Sequence, residues 1–313
     1  MPPSNDGREG WVTESDASAG ASRSVAGLQL TAVPPATGAG GDNPGPCTLG
    51  ELLLLRAAEE PDRVGFSFLT YPRGDAVERA NLTYGGLAQR AKAIAVRLGQ
   101  VCCPGDRVLI LCPPGRNYIA AFFGCQLAGV IAVPAYPPRN PKHMGRLEAI
   151  VADAGAAALL TSGDTHGQLA RWSAGTDGGA GSQPLPVSVA VDSIDAQLLQ
   201  EWTAPGFSPD ALAFLQYTSG TTGSAKGVMV THRQVFENVR CIARCFPHEG
   251  RAQAVFWAPP YHDLGLIGAI LYPFVFAFPT TLMSPVAFLQ LPLRWLQALS
   301  GERATITAAP NFA

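Results

Sequence analysis

The chain has 313 residues, of which 47% are hydrophobic and 15% are charged, and its formal net charge is −2. This composition is typical of a globular protein with a large buried core. Because the chain is nearly neutral, it offers no electrostatic reason to bind nucleic acid or an anionic membrane, and no nucleic-acid partner is expected.

The histidines and cysteines argue against a metal site and for a reducing compartment. The five histidines and seven cysteines show no metal-ligand spacing, and no CxxC pair is present. The number of cysteines is odd, and the N-terminus has no apolar signal segment. Free thiols and a cytoplasmic location are therefore predicted.

Residues 1–46 are predicted to be a disordered N-terminal extension. They are rich in Gly, Ser, Ala, Pro and Asp and show almost no apolar periodicity. Such a segment buries too little surface to offset the entropy that it would lose on ordering. Residues 47–313 are predicted to form the folded domain.

Helices and strands alternate from residue 47 onward. Thr48 and Glu51 predict a capping box for a first helix, which Pro61 ends, and Thr83 predicts the N-cap of a second helix. The segments GDRVLILCPPG and GVIAVPAYPP are predicted as buried strands flanking a helix over 118–128, and RLEAIVADAGAAALLTS as a further helix and strand. This alternation predicts an α/β fold with mostly parallel sheets and flanking helices.

Two apolar runs, Tyr118–Tyr136 and Leu264–Met283, approach the roughly 20 residues that a membrane-spanning helix needs. A glutamine and a closing proline interrupt the first run, and two prolines interrupt the second. Both are predicted as buried helix-then-strand segments, so no membrane span is expected. The stretch between them from Trp172 to Ser188 is predicted to be a surface loop.

The stretch LQYTSGTTGSAKGVMVTH, Leu215–His232, is the strongest sign of chemistry in the sequence. It follows a predicted strand over 211–216 and precedes a predicted helix over 232–239. Glycines let a backbone approach a ligand closely, and consecutive N–H groups and hydroxyls donate hydrogen bonds to an anion such as phosphate. One lysine adds a point charge. A flexible surface turn is the alternative for a run of this composition.

The phosphate loop of ordinary nucleoside triphosphatases is disfavoured for this stretch, because the match to its motif fails at two positions. That motif requires GxxxxGK[ST]. Ala225 stands here where the last glycine should precede Lys226, and Gly227 stands where serine or threonine should follow it.

The ten residues TSGTTGSAKG resemble the phosphate-binding signature of the AMP-forming adenylating superfamily, which comprises acyl-CoA synthetases, peptide-synthetase adenylation domains and luciferases. The segments WAPPYHDLGLIG, LMSPVAFLQLPLRWL, IAAFFGCQLAGVIAVPAYPPR and APNFA resemble the fatty acyl-AMP ligases within it. The resemblance extends from about Thr48 to Ala313. It implies the N-terminal part of the AMP-binding, acyl-adenylate-forming fold, truncated before the C-terminal domain.

The resemblance also implies a reaction. A fatty acid carboxylate attacks the α-phosphorus of ATP, pyrophosphate leaves, and the acyl adenylate is transferred to the phosphopantetheine thiol of an acyl carrier protein. The implied cofactors are ATP and Mg²⁺, and the implied setting is lipid or polyketide and lipopeptide biosynthesis.

The resemblance carries roles to particular residues. The phosphates would be held by Thr218, Ser219, Gly220, Thr221, Thr222, Gly223, Lys226 and Gly227. Lys226 and His262 would be catalytic, with His262 donating a hydrogen bond to the charge that develops beside the acyl carboxylate and α-phosphate. Asp263 would orient His262 or cap the following helix. His262, Gly265 and Ile267 would line the acyl and adenylate pocket; for each of them plain core packing is the alternative. No residue is assigned to a metal.

The sequence departs from the family pattern after APNFA, where the adenine- and ribose-binding motifs, the acidic residue for Mg²⁺ and the C-terminal domain with its lysine are missing. The chain is therefore expected to be an inactive N-terminal fragment that exposes apolar surface. The alternatives are an acyl-CoA synthetase, an amino-acid adenylation domain, and a catalytically silent module that binds nucleotide or acyl groups. The acyl chain length and the acceptor are left open.

Overall fold

The computed structural model describes residues 46–72, 76–138, 140–173, 184–219, 225–247, 252–311 and 313. The predicted extension over residues 1–46 therefore lies outside the described residues, except for Pro46. The tip of the glycine-rich stretch, residues 220–224, also lies outside them.

Helices and strands alternate along the described chain. The helices are α1 (Leu49–Glu59), α2 (Tyr84–Gly99), α3 (Arg116–Ala128), α4 (Met144–Ala154), α5 (Gly163–Ser173), α6 (His232–Cys245), α7 (Tyr272–Phe276), α8 (Pro285–Gln290) and α9 (Leu293–Glu302). The strands are β1 (Val64–Thr70), β2 (Glu78–Thr83), β3 (Arg107–Ile110), β4 (Ile131–Pro134), β5 (Ala156–Thr161), β6 (Val187–Ala190), β7 (Leu212–Ser219), β8 (Ala225–Thr231), β9 (Ala254–Phe256) and β10 (Thr280–Met283). Single 3₁₀ turns cover Pro141–His143 and Ala196–Glu201, and a π-helical segment, Leu264–Leu271, precedes α7.

The strands form two mostly parallel sheets, as predicted. The first has the order β2-β1-β10-β9, and the second has the order β6-β5-β3-β4-β7-β8. Among the described strands, the antiparallel pairs are β1 with β2 and β7 with β8, each at one edge of its sheet. The residues on either side of 220–224 therefore belong to the two strands of an edge hairpin.

The local signals for helix ends are confirmed. Thr48 and Glu51 form the predicted capping box at α1, and the Thr83 hydroxyl accepts a hydrogen bond from Gly86 N at the start of α2. Both long apolar runs form a helical segment followed by a strand. No helix in the described part of the chain is long and apolar enough to cross a membrane.

The predicted surface loop from Trp172 to Ser188 is wrong at both ends. Trp172 lies in α5 and is buried, and Ser188 lies in β6. The glycine-rich middle of this stretch, residues 174–183, lies outside the described residues. The loop prediction rests on the glycine-rich composition of this middle part, which says nothing about the helix and the strand on either side.

Helix α3 is the centre of the largest apolar cluster. Every residue from Tyr118 to Leu127 is buried, and all of them except Gln126 are apolar or glycine, so this part of the helix has no solvent-facing side. A helix that is apolar all round belongs in the interior of a protein. Its neighbours in the cluster come from α1, α2 and strands of both sheets.

His232, the first residue of α6, links the hairpin to the N-terminus of α1. Its side chain is buried, and its Nδ1 accepts a hydrogen bond from Leu49 N over 3.2 Å. The imidazole thus satisfies one of the backbone N–H groups that the start of α1 leaves without an intrahelical partner. Burial lowers the pKa of His232 to about 4. The ring is neutral in the folded protein near pH 7, as an accepting Nδ1 requires.

Helices α8 and α9 present apolar side chains to solvent. The exposed residues there are Val286, Leu289, Leu291, Leu293 and Leu296. Exposed apolar surface of this kind favours association.

The π-helical segment packs against the turn before it at Gly265. A Cβ atom added at Gly265 would lie 2.0 Å from the carbonyl oxygen of Pro259 and 2.8 Å from that of Ala258. These are backbone atoms, so no rotamer change could relieve the overlap. Gly265 therefore has a packing role, because it lets the π-helical segment lie directly against the turn that carries His262.

The pKa of His232 predicts a loss of stability in mild acid. Because the folded-state pKa lies below the ordinary value of 6.5, the unfolded chain binds a proton that the folded chain excludes. The stabilisation is complete above about pH 6.5 and is lost as the pH falls towards 4, a loss on the order of 2–3 kcal/mol. We expect His232→Asn, which keeps an acceptor but does not titrate, to remove this component from urea unfolding curves recorded between pH 7 and 4.5. His143→Gln, at an exposed histidine, is the control. Parallel loss of stability in the wild type and His232→Asn would contradict the prediction.

The close approach at Gly265 predicts that Gly265→Ala is destabilising. The added methyl group must displace backbone, which costs about 1–3 kcal/mol in a packed core. Gly268→Ala in the same segment is the matched control, since its Cβ would meet only the Leu264 side chain, at 3.4 Å. Urea unfolding of both variants checks the difference. Equal stability of the two variants would refute the packing role of Gly265.

Candidate active site

The candidate site lies where β4 and β7 end side by side. The two strands are parallel, and Ala132 pairs with Phe214, so Pro134 is level with Gln216 and the last three residues of β7 extend beyond it. From β4 the chain continues to β5 on one side, and from β7 it continues to β8 on the other. Ligands bind in parallel sheets at such a point, outside the carboxyl ends of the strands.

A cavity of about 550 Å³ occupies this position. That volume lies within the range of small-molecule sites. Four segments line it: the end of β4 and the residues after it, the start of α4, the end of β7, and the turn before the π-helical segment. The lining residues are Pro134, Ala135, Tyr136, Pro138, His143, Arg146, Leu147, Ile150, Gln216, Tyr217, Thr218, Tyr261, His262 and Asp263.

The cavity brings two of the predicted site residues together. Thr218, near the end of β7, and His262, 44 positions later in the sequence, both line it. Lys226, the second residue of β8, lies directly opposite Thr218, and its side chain is exposed. Because directly opposed residues share a face of a sheet, Lys226 lies on the same face of the hairpin as Thr218.

The rest of the predicted phosphate-binding set lies on or beside the hairpin tip. Ser219 ends β7 and pairs with Ala225, and Gly227 pairs with Tyr217. The predicted residues Gly220, Thr221, Thr222 and Gly223 lie outside the described residues. Their role in binding phosphate stays a prediction.

Tyr217 fixes the hairpin to α4. Its hydroxyl donates a 2.5 Å hydrogen bond to Oδ2 of Asp153 in the last turn of that helix. Its ring covers Gly227, where an added Cβ would lie 3.1 Å from two ring atoms. Burial, followed by the hydrogen bond to Asp153, raises the pKa of Tyr217. The phenol therefore stays protonated and keeps donating.

Gln216 fixes the turn that carries His262 to the same strand. Its Nε2 donates to the carbonyl oxygen of Tyr261 over 2.9 Å. The ring of Tyr261 meets that of Tyr136 edge to face, with centroids 4.8 Å apart, and Tyr136 follows β4. The turn is thus held from β7 and from the end of β4.

His262 and Asp263 face each other at the cavity. His262 Nδ1 is in hydrogen-bonding contact with Oδ1 of Asp263, and that oxygen also accepts from Leu264 N over 2.8 Å. Both roles considered for Asp263, orienting the histidine and capping the next helical segment, are therefore present in the structure. The His262 side chain is 71% exposed, so it is accessible to a ligand and is no core histidine.

The predicted acyl-pocket residues Gly265 and Ile267 lie away from the main cavity. Gly265 borders a second, apolar cavity with Tyr118, Ile119, Ile270 and Met283, whose volume of about 20 Å³ admits little more than one water molecule. Ile267 is half-buried and packs against the largest core cluster. Their place in an acyl pocket stays a prediction.

Several residues at the cavity were not singled out from the sequence. Gln216 and Tyr217 lie in the stretch Leu215–His232, but the predicted phosphate-binding set consists of its hydroxyls, glycines and lysine and does not include them. Tyr136 and Arg146 carry no local signal, because only the folding of β4 and α4 brings them to the site. Among the described residues, no group of three His, Cys, Asp or Glu side chains could hold a metal ion.

Comparison with known proteins shows the family of this chain. The family model for AMP-binding enzymes matches residues 55–312. The medium-chain-fatty-acid–[acyl-carrier-protein] ligase JamA of Moorena producens (strain JHB) is 38% identical over 270 residues, which cover 85% of this chain and 44% of JamA. The long-chain-fatty-acid–AMP ligase FadD26 of Mycobacterium tuberculosis (strain ATCC 25618 / H37Rv) is 38% identical over 269 residues, which cover 84% of this chain and 45% of FadD26.

A solved structure has the same fold. The fatty acyl-adenylate ligase from L. pneumophila, crystallised with acyl adenylate and pyrophosphate, superposes with a TM-score of 0.76 at 36% identity, over 85% of this chain and 45% of that one. This chain thus spans less than half the length of the relatives that it matches. The predicted fold and the resemblance to acyl-adenylate-forming ligases are confirmed, and the chain belongs to the AMP-binding enzyme family.

Proposed function

We propose that this protein is a fatty acyl-AMP ligase, which joins a fatty acid to the AMP moiety of ATP and releases pyrophosphate. The observation that carries the proposal is the shared cavity, where Thr218 of the hairpin and His262 of the PPYHDLG turn line one space at the carboxyl ends of β4 and β7. In the proposal, the hairpin would bind phosphate and His262 would stabilise the acyl phosphate, and one ligand in this cavity could contact both. The names of the relatives JamA and FadD26 support a fatty acid as the substrate.

In this proposal the hairpin binds the β- and γ-phosphates. The Thr218 hydroxyl and the Lys226 ammonium group, neighbours across β7 and β8, supply a neutral donor and a positive charge. The fatty acid carboxylate attacks the α-phosphorus in line with the departing pyrophosphate. Positioning and charge neutralisation provide most of the rate enhancement in such a transfer.

His262 would stabilise negative charge on the acyl and α-phosphate oxygens. Because Nδ1 faces the Asp263 carboxylate, Nε2 is the nitrogen left for the ligand. Asp263 would thus be a positioning residue for His262.

ATP would enter as its Mg²⁺ complex. Mg²⁺ is usually held by one or two carboxylates together with the phosphates of the substrate. The ion would supply neutralising charge at the phosphates.

An acyl carrier protein is the proposed acceptor, because the relative JamA is named for ligation to one. Transfer to a carrier thiol would place the enzyme in lipid or polyketide and lipopeptide assembly. The seven free cysteines suit a reducing cytoplasm, where ATP is also available.

The proposal predicts ATP–pyrophosphate exchange that depends on a fatty acid. Exchange should be measured on this chain and on the chain extended by the segment that follows the matched region in JamA. We expect Lys226→Ala and His262→Ala each to lower the rate of exchange on the order of 10²-fold or more, because each removes a group that stabilises charge in the transition state.

Lys142→Ala is the control for Lys226→Ala, since it removes an exposed lysine that does not line the cavity. Its exchange rate should stay within about twofold of the wild type. A folded, extended protein that gives no exchange with any fatty acid would overturn the proposal and favour a silent binding module. Exchange with amino acids alone would indicate an amino-acid adenylation domain, and acyl transfer to CoA alone an acyl-CoA synthetase.

A further inference from the structure

Arg146 lies in the first turn of α4 and lines the same cavity as Thr218 and His262. Its side chain is exposed, and it makes no hydrogen bond or ion pair with the described part of the chain. A guanidinium group has five N–H donors in a planar fork that matches the oxygens of a phosphate group. Within the described part of the chain, nothing competes with a ligand for these donors.

Helix α4 holds Arg146 on a fixed support. Leu147 and Ile150 of the helix are buried in an apolar cluster that includes Val133 of β4 and Leu215 of β7. The hydrogen bond from Tyr217 to Asp153 ties the last turn of α4 to β7 as well. The helix that presents Arg146 and the hairpin that presents Thr218 are therefore attached to each other at both ends of the helix.

The charges at the cavity favour an anion beside Arg146. The first turn of α4 has no side-chain cap, so the positive end of the helix dipole adds to the arginine. The carboxylate that lines the cavity, Asp263, is in contact with His262 and with Leu264 N. His143, which also lines the cavity, brings no negative charge.

We propose that Arg146 is a phosphate-binding residue of the cavity. From its position on α4, it binds the polyphosphate end of the nucleotide and then the pyrophosphate. The inference rests on the proposed function and adds to it a contact outside the glycine-rich hairpin. The shared chemistry is a phosphate group, and two sources could deliver it: the pyrophosphate part of ATP and the phosphate of the carrier's phosphopantetheine. The geometry points to the first, because Thr218 lines the same cavity and Lys226 pairs with Thr218.

Calorimetric titration of this chain with pyrophosphate, and separately with 4′-phosphopantetheine, tests the proposal without requiring turnover. We expect Arg146→Gln to weaken pyrophosphate binding about tenfold or more, because a charge-assisted, bidentate contact is lost. Arg146→Lys should restore only part of the affinity, since an ammonium group lacks the fork geometry. Lys142→Gln removes the same charge one turn earlier and outside the cavity, and should change the affinity less than about twofold. Urea unfolding midpoints of all variants should match the wild type, because both side chains are exposed.

Each outcome decides the matter. If Arg146→Gln and Lys142→Gln bind pyrophosphate with equal affinity, the proposal is overturned. It is also overturned if the wild-type chain binds neither pyrophosphate nor 4′-phosphopantetheine at millimolar concentration. Binding of phosphopantetheine alone, lost in Arg146→Gln, would keep the phosphate site and overturn its assignment to the nucleotide. Fatty-acid-dependent exchange that Arg146→Gln does not alter would refute the role of Arg146 and leave the proposed function standing. Pyrophosphate binding that depends on Arg146, in a protein that shows no such exchange, would support the role of Arg146 and overturn the proposed function.

Discussion

Strand β7 is the element on which the site depends, because it pairs in parallel on one side and antiparallel on the other. Its parallel neighbour β4 places two strand ends together and opens a crevice. Its antiparallel neighbour β8 turns the glycine-rich stretch into a hairpin at the edge of the sheet. The mixed pairing of one strand thus puts Thr218, and Lys226 opposite it, at the edge of the sheet where the cavity opens.

Hydrogen bonds from consecutive residues of β7 join three otherwise separate parts of the site. Gln216 holds the turn before the π-helical segment, and Tyr217 holds the last turn of α4. Since successive side chains of a strand point to opposite faces, the two bonds secure both faces of the strand just before its tip. The segments that line the cavity are in this way tied to one strand by a pair of adjacent side chains.

Most of the fold could be predicted from the sequence, since its local signals are strong and agree with one another. The capping box at Thr48, the cap at Thr83 and the alternation of apolar helices and strands all correspond to elements of the structure. The site was only partly predictable. Thr218 and His262 lie in sequence motifs and could be predicted, whereas Arg146 and Tyr136 reach the cavity through tertiary packing that no local pattern encodes. Trp172 was misplaced because the composition of the neighbouring glycine-rich segment outweighed one buried aromatic residue.

The register of the hairpin also limits how the glycine-rich stretch can change in length. Ser219 pairs with Ala225 and Thr218 with Lys226, so the strands stay paired up to the five positions between 219 and 225. Neighbouring positions of a strand face opposite sides of a sheet, and slipping the register by one residue turns a whole strand over. An insertion or deletion of one residue that slipped β8 in this way would carry the lysine to the other face. The spacing between Thr218 and Lys226 is therefore constrained by the geometry of a β-sheet, whatever ligand the stretch binds.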